Sequence, residues 1–165
     1  AASRNLRREA GVRGVDAERL VFAGRVLPPA HLARQRLADL FLDTLPYNAA
    51  TTASDALWAG LPMLTCSGDS YAARMAGSLL HAVGLPELVT TSLRDYESMA
   101  LNLATDADLL ASIRAKLAHN RLTYPLFDTV RFTHHLEAAF LMMWQRQQRG
   151  DPATSFSIAT QNSIQ

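Results

Sequence analysis

Thr51 and Thr52, with Asp55 one helical turn further on, are the side chains whose types and spacing could do chemistry. They stand in the run LFLDTLPYNAATTASDALWAGLPMLT, residues 40–65. This run reads as a buried strand, a tight loop, a short helix and a second buried strand. A hydroxyl at Thr51 or Thr52 is placed to cap that helix, accepting from the orphan N–H groups of its first turn. The helix start also offers free N–H groups and the positive end of a helix dipole, which suits a phosphate or diphosphate. In open α/β sheets ligands sit outside the carboxyl ends of the strands, and the loop at 48–52 occupies such an end. Strand–loop–helix turns with Thr at the cap also occur widely where nothing binds. The pattern alone leaves both readings open.

The elements that must position these groups can be read along the chain. A short charged helix is expected over 4–10, closed by Gly11 and Gly14, and a first strand over 20–23. A helix over 30–37 follows Pro28 and Pro29; His31 and Arg34, three residues apart, share one of its faces. The continuous apolar run Leu40–Phe41–Leu42 has the pattern of a parallel strand covered on both faces. A helix over 52–59, a stop at Gly60 and a strand over 63–65 come next. Helical spacing of Ala72, Met75, Ala76, Leu79, Leu80 and Val83 predicts a helix over 70–83, ended by Gly84. A short strand is expected over 88–90. Ser92 and Asp95 resemble a capping box for a helix with Leu93, Tyr96, Ala100 and Leu103 inward. Thr105 and Asp108 are expected to cap another, with Leu109, Leu110, Ile113 and Leu117 inward. Past Pro125 a long helix over 129–148 carries Phe132, Leu136, Phe140, Met143 and Trp144, a stripe that calls for a large packing partner. Residues 149–165 are polar and aperiodic and read as a disordered tail. The domain therefore spans 1–148. Alternating strands and helices give an α/β fold with a partial Rossmann-like parallel sheet of four strands, without a GxGxxG motif.

Composition bounds the function. Hydrophobic residues make up 48% of the 165 and charged ones 19%, an ordinary soluble balance, and the formal net charge is +1. Neither nucleic acid nor a membrane surface is indicated as partner, and no apolar run has the length of a membrane span. The lone Cys66 forms no internal disulfide and fits a reducing, cytoplasmic compartment; it reads as a buried, inert thiol. No cluster of carboxylates, His or Cys has metal-ligand spacing, and His134 and His135 point to different faces of one helix. The chain opens on Ala1 in what reads as the middle of a domain, so a fragment is expected.

The run FLDTLPYNAATTASDALWAGLPMLT, preceded by HLARQRLAD and followed by SLLHAVGLPELVT, resembles the protein O-GlcNAc transferases of glycosyltransferase family 41, more narrowly their bacterial, tetratricopeptide-associated members. PLFDTVRFTHHLEAAFLMMW extends the resemblance, which covers Asn5 to Trp144. It implies the carboxyl-terminal, nucleotide-sugar-binding domain of a GT-B enzyme, ending in a long carboxyl-terminal helix. Such enzymes transfer N-acetylglucosamine from UDP-GlcNAc to Ser or Thr hydroxyls of acceptor proteins, with inversion and without a metal or other cofactor.

Residue by residue, the resemblance implies that Thr51 and Thr52 hold the diphosphate through hydroxyls and backbone N–H groups, and that Asp55 accepts from the ribose hydroxyls. His31 packs against the uracil, Arg34 donates to the nucleoside, and the backbone around Val26 meets the uracil edge. The plainer readings are a first-turn acid complementing the dipole for Asp55 and a solvated helix face for His31 and Arg34. Asp43 reads equally as a loop-fixing carboxylate and as a ligand contact. Position 50 departs from the family: Ala50 stands where many members carry a His that reaches the donor phosphates. Its N–H can still serve, but the lost charge-assisted bond is worth roughly 1.5–3 kcal/mol. The family's phosphate-contacting lysine, catalytic groups, first domain and tetratricopeptide repeats are expected upstream, so the chain alone is expected to be inactive. Two other readings stand beside this one: use of GDP-fucose, as in related plant proteins, and a non-catalytic nucleotide-binding or interaction module.

Overall fold

A computed structural model of the chain describes residues 1–158. It divides into two compact units, residues 1–31 and the chain from Leu32 onward.

In the first unit, helix α1 covers Ala2–Val12. It runs through Gly11 and buries no side chain. Arg13 pairs with Glu9 at 2.7 Å and holds that carboxyl below the ordinary glutamate range. A 3-10 turn at Ala17–Arg19 is capped by Asp16, which accepts from the Glu18 N–H at 3.0 Å. The strand expected over 20–23 is not formed. This segment pairs with no strand among the described residues, Val21 is 87% exposed, and Phe22 lies beneath the Arg7 guanidinium at 5.5 Å. An apolar β-branched run is only half of a strand; the other half is a neighbour that takes its backbone hydrogen bonds.

Helix α2, Pro28–Gln35, straddles the boundary in sequence and starts on proline, whose missing N–H costs nothing there. The second unit then alternates: strand β1 Phe41–Leu42, helix α3 Thr51–Ala59, strand β2 Met63–Cys66, helix α4 Met75–Ala82, strand β3 Val89–Thr90. The three strands form a parallel sheet in the order β1-β2-β3, so the sheet has three described strands rather than the expected four. Phe41 lies opposite Met63 and Leu42 opposite Leu64; Thr65 lies opposite Val89 and Cys66 opposite Thr90. Every residue of β2 is buried, as a central parallel strand covered on both faces requires.

Around β2 pack Ala53 and Leu57 of α3 and Ala76 and Leu80 of α4. Helices α5, Leu93–Thr105, and α6, Ala107–Thr123, add Leu103, Ile113 and Leu117. Ser92 caps α5 as expected, its hydroxyl oxygen accepting from the Asp95 N–H at 3.1 Å. Leu93, expected inward, is 68% exposed because the first turn of α5 stands clear of the core. Asp106, rather than Thr105, caps α6 by accepting from the Leu109 N–H at 2.9 Å; the Thr105 hydroxyl bonds back to Leu101. The helix expected over 70–83 is split: a 3-10 turn at Ala72–Arg74 precedes α4, with the Ser70 hydroxyl oxygen accepting from the Ala73 N–H.

Helix α7, Thr129–Arg149, has no buried residue, and its apolar stripe is open, with Phe132 65% and Trp144 62% exposed. Residues 151–158 carry no helix or strand; the Arg146 guanidinium donates to the Thr154 hydroxyl oxygen and lies 5.7 Å from the Phe156 ring. The remainder of the expected disordered tail, 159–165, lies outside the described residues.

Candidate functional site

The loop leaving the carboxyl end of β1 is built around one buried carboxylate. Asp43 is 5% exposed. Its Oδ1 accepts from the Thr44 N–H and the Ala49 N–H, each at 2.8 Å, and its Oδ2 from the Thr65 hydroxyl at 2.6 Å. The Tyr96 hydroxyl donates to the Asp43 carbonyl at 2.9 Å. A buried charge is tolerated only when its lone pairs are satisfied, and three donors do so here. Of the two readings of Asp43, the structure shows the loop-fixing one. The loop is tied twice more: the Thr44 hydroxyl donates to the Tyr47 carbonyl at 2.7 Å, and Asn48 donates to Thr44 from its side chain and to Ala72 from its backbone. The Leu45–Pro46 peptide within it is cis.

This loop delivers the start of α3. The expected threonine cap is absent: Thr51 is already the first helical residue, and Ala50 occupies the cap position with no side-chain hydrogen bond. The first bond of the helical ladder runs from the Ser54 N–H to the Ala50 carbonyl at 2.9 Å. The N–H groups of Thr51, Thr52 and Ala53 therefore have no intrahelical acceptor. The Thr51 and Thr52 side chains are exposed beside them, and Asp55 is half-buried one turn on. The inner side of α3 is anchored by Ala53, Ala56 and Leu57, all at 0% exposure, and its end turns at Gly60 with φ +89°. The outcome is a rigidly held helix start with two hydroxyls, unpaired-by-ladder N–H groups and no internal cap. That is the donor set and partial charge an anionic group requires.

The structure brings Ala50, Thr51, Thr52 and Asp55 together on this one helix start. Arg34 lies in the last turn of α2 and is half-buried. In the first unit, His31 is half-buried on α2, and Val26 is 44% exposed in the segment before it, which forms neither helix nor strand. Sequence reasoning passed over Thr65 and Tyr96 as supports of the loop. They lie 22 and 53 residues from Asp43, and nothing local marks them. Burial and the nearby Asp43 and Cys66 push the Tyr96 phenol above its ordinary range.

A groove of about 470 Å³ at the end of β2, lined by Ser67, Tyr71, Arg74, Ser78, His81 and Val89, takes in none of the expected site residues. Among the described residues no three His, Cys, Asp or Glu side chains gather where they could hold a metal ion, and no helix is long and apolar enough to cross a membrane. Cys66 is a buried free thiol.

Known proteins agree with this architecture. The profile described as Glycosyl transferase family 41 matches residues 1–136. A UDP-N-acetylglucosamine--peptide N-acetylglucosaminyltransferase of Caenorhabditis elegans is 43% identical over 140 residues, covering 85% of this chain and 12% of that protein. A probable UDP-N-acetylglucosamine--peptide N-acetylglucosaminyltransferase of Arabidopsis thaliana, SEC, is 36% identical over 159 residues, covering 96% of this chain and 16% of that protein. A solved mutant O-GlcNAc transferase of Thermobaculum terrenum superposes with a TM-score of 0.79 at 38% identity, over 86% of this chain and 27% of that one. The chain thus spans a minor part of the length of the relatives it matches, and its parallel α/β fold is that of the carboxyl-terminal domain of a GT-B glycosyltransferase. With its profile match running from the first residue through the start of α7, the chain belongs to glycosyl transferase family 41.

Proposed function

We propose that this chain is the donor-binding part of a protein O-GlcNAc transferase. The observation that carries the proposal is the uncapped start of α3 at the carboxyl end of β1, in a chain of family 41. The diphosphate of UDP-GlcNAc accepts from the N–H groups at Ala50, Thr51 and Thr52 and from the two threonine hydroxyls. Asp55 accepts from the ribose hydroxyls and Arg34 donates to the nucleoside. The base-reading roles expected of Val26 and His31 belong to the same proposal. As the acceptor hydroxyl attacks the anomeric carbon and UDP departs, negative charge grows on the diphosphate. Fixed N–H groups and a helix dipole stabilise that charge without reorganising, which is the service a divalent metal would otherwise give. The acceptor protein, the preceding catalytic domain and the tetratricopeptide repeats are assigned to the longer protein in which relatives of this chain occur. A cytoplasmic location accords with the buried free thiol of Cys66.

Calorimetric titration with UDP, UDP-GlcNAc and GDP tests the proposal. UDP and UDP-GlcNAc are expected to bind in preference to GDP. Asp55→Ala and Thr52→Ala are each expected to weaken UDP roughly tenfold, the scale of one hydrogen bond to a charged group. His31→Ala is expected to narrow the margin between UDP and GDP. Preference for GDP would reassign the sugar nucleotide, and absence of nucleotide binding by the full-length protein would overturn the proposal.

A further inference from the structure

Asp43 does more than its place at a strand end requires. Its carboxylate reaches across the loop to the Ala49 N–H, the residue immediately before the uncapped cap position of α3, while its other oxygen is clamped by Thr65 in the fully buried central strand. The loop between them is anchored to the sheet at this point and through Asn48 to Ala72. A side chain that joins the most buried strand to the residue beside Ala50 sets where the N–H groups of Thr51 and Thr52 aim. The acidic choice is informative because it opposes simple electrostatics. A negative charge under an anion site weakens anion binding by Coulomb repulsion, unless what it contributes is geometry. Among the described residues the carboxylate's partners are donors on the protein's own scaffold, two from the loop and one from β2.

We propose that Asp43 is a positioning residue for the diphosphate of the bound nucleotide, acting through the Ala49–Thr52 backbone and not by touching the ligand. The inference rests on the donor-site reading above and assigns a residue to one part of the ligand. Because the loop and helix start face the diphosphate, loss of Asp43 weakens UDP while leaving uridine, which lacks phosphate, nearly untouched. Asp43→Asn keeps the shape and one acceptor oxygen. It removes the charge that strengthens the two N–H bonds, and it turns the Thr65 side into an amide-to-hydroxyl contact. The two roles open to the carboxylate give opposite signs. If Asp43 only contributes charge, Asp43→Asn relieves repulsion and tightens UDP. If it positions the loop, Asp43→Asn loosens UDP.

The test is calorimetric titration of the full-length protein carrying this chain with UDP and with uridine, for wild type, Asp43→Asn and Asp43→Ala. Thermal melts of each run in parallel. Positioning predicts that the dissociation constant for UDP rises about tenfold in Asp43→Ala and several-fold in Asp43→Asn, with uridine changed less than about twofold, the scale set by charge-assisted hydrogen bonds. Should Asp43→Ala fail to fold, Asp43→Asn decides. A lowered melting temperature with an unchanged ratio of UDP to uridine affinity means a purely structural role and overturns the proposal, as does tighter UDP in Asp43→Asn. Wild-type protein that binds no UDP overturns the donor-site reading itself. Wild-type binding that Asp55→Ala weakens and the Asp43 variants do not overturns the positioning role alone.

Discussion

Tyr96 couples a helix outside the β1–α3 turn to the residue that organises it. Its hydroxyl donates to the Asp43 carbonyl at 2.9 Å, and its phenol is held above the ordinary range, first by burial and then by Asp43 and Cys66. The sign of the resulting pH dependence is fixed. The folded state favours the protonated phenol, so this stability is fully present below the unfolded value near pH 10 and is lost as pH climbs through the raised folded value. Tyr96→Phe is expected to cost about 1 kcal/mol at neutral pH, the net worth of one hydrogen bond. It should also flatten the alkaline loss of stability. Urea midpoints at about pH 7 and about pH 10.5 for both proteins check this, and equal slopes would remove Tyr96 as the titrating group. Ala50 shows the complementary logic. At the cap position it offers the worst residue class for an isolated helix, costing about 1 kcal/mol against Ser or Asp. A helix start left open in this way keeps its N–H groups for another acceptor.

At the scale of elements, packing between helices fixes ends that local sequence leaves open. Helix α4 closes through a residue far along the chain. The Asn120 side chain, 4% exposed in α6, donates to the Val83 carbonyl at 3.0 Å and to the Gly84 carbonyl at 3.1 Å. Gly84 turns there at φ +72°, and a Cβ on it would lie 2.2 Å from the Tyr124 ring. Asn120→Ala strands two buried carbonyls and opens a small void. A loss of about 2–3 kcal/mol is expected by chemical denaturation, the cost of unsatisfied buried acceptors. A loss below about 0.5 kcal/mol, the range of an ordinary surface change, would show that water takes over the role. The same dependence on distant partners sets how far the sequence could be read. Strands β1, β2 and β3 and helices α3, α5, α6 and α7 follow from apolar runs and helical stripes, but the pattern does not say what covers them. Strand β1, expected to be covered on both faces, leaves Leu42 54% exposed, and α7 buries no residue. The start of α3 is legible as a strand–loop–helix turn, but its cap falls at Ala50, one residue before the expected threonines. Thr51 has the chemistry of a cap, while the tether from Ala49 to Asp43 sets the helix entry at Ala50. Residues 20–23 have strand composition and no strand partner among the described residues. Local pattern carries no information about either tether or partner.

Across the whole molecule, α7 is out of balance with the rest. It extends 21 residues with Phe132, Phe140, Leu141 and Trp144 each more than half exposed, and none of its residues is buried. Contiguous apolar surface on one long helix is what a packing interface looks like before its partner arrives. The solved relative is covered only to 27% of its length by this chain, so most of the protein in which such a helix sits lies elsewhere. The 165-residue chain expressed by itself is therefore expected to self-associate through this stripe. Phe140→Glu with Trp144→Glu should return it to a monomer in sedimentation velocity. Since neither side chain packs into the core around β2, the melting temperature of the chain should stay within a few degrees of wild type, as surface substitutions do. In the full-length protein the same pair should act in the opposite direction and lower the melting temperature, because there the stripe is expected to be covered. A monomeric wild-type chain, or a full-length protein indifferent to the two glutamates, would show that the stripe is an ordinary exposed face and that α7 is held by its own helical propensity and its junction at Pro125–Phe127.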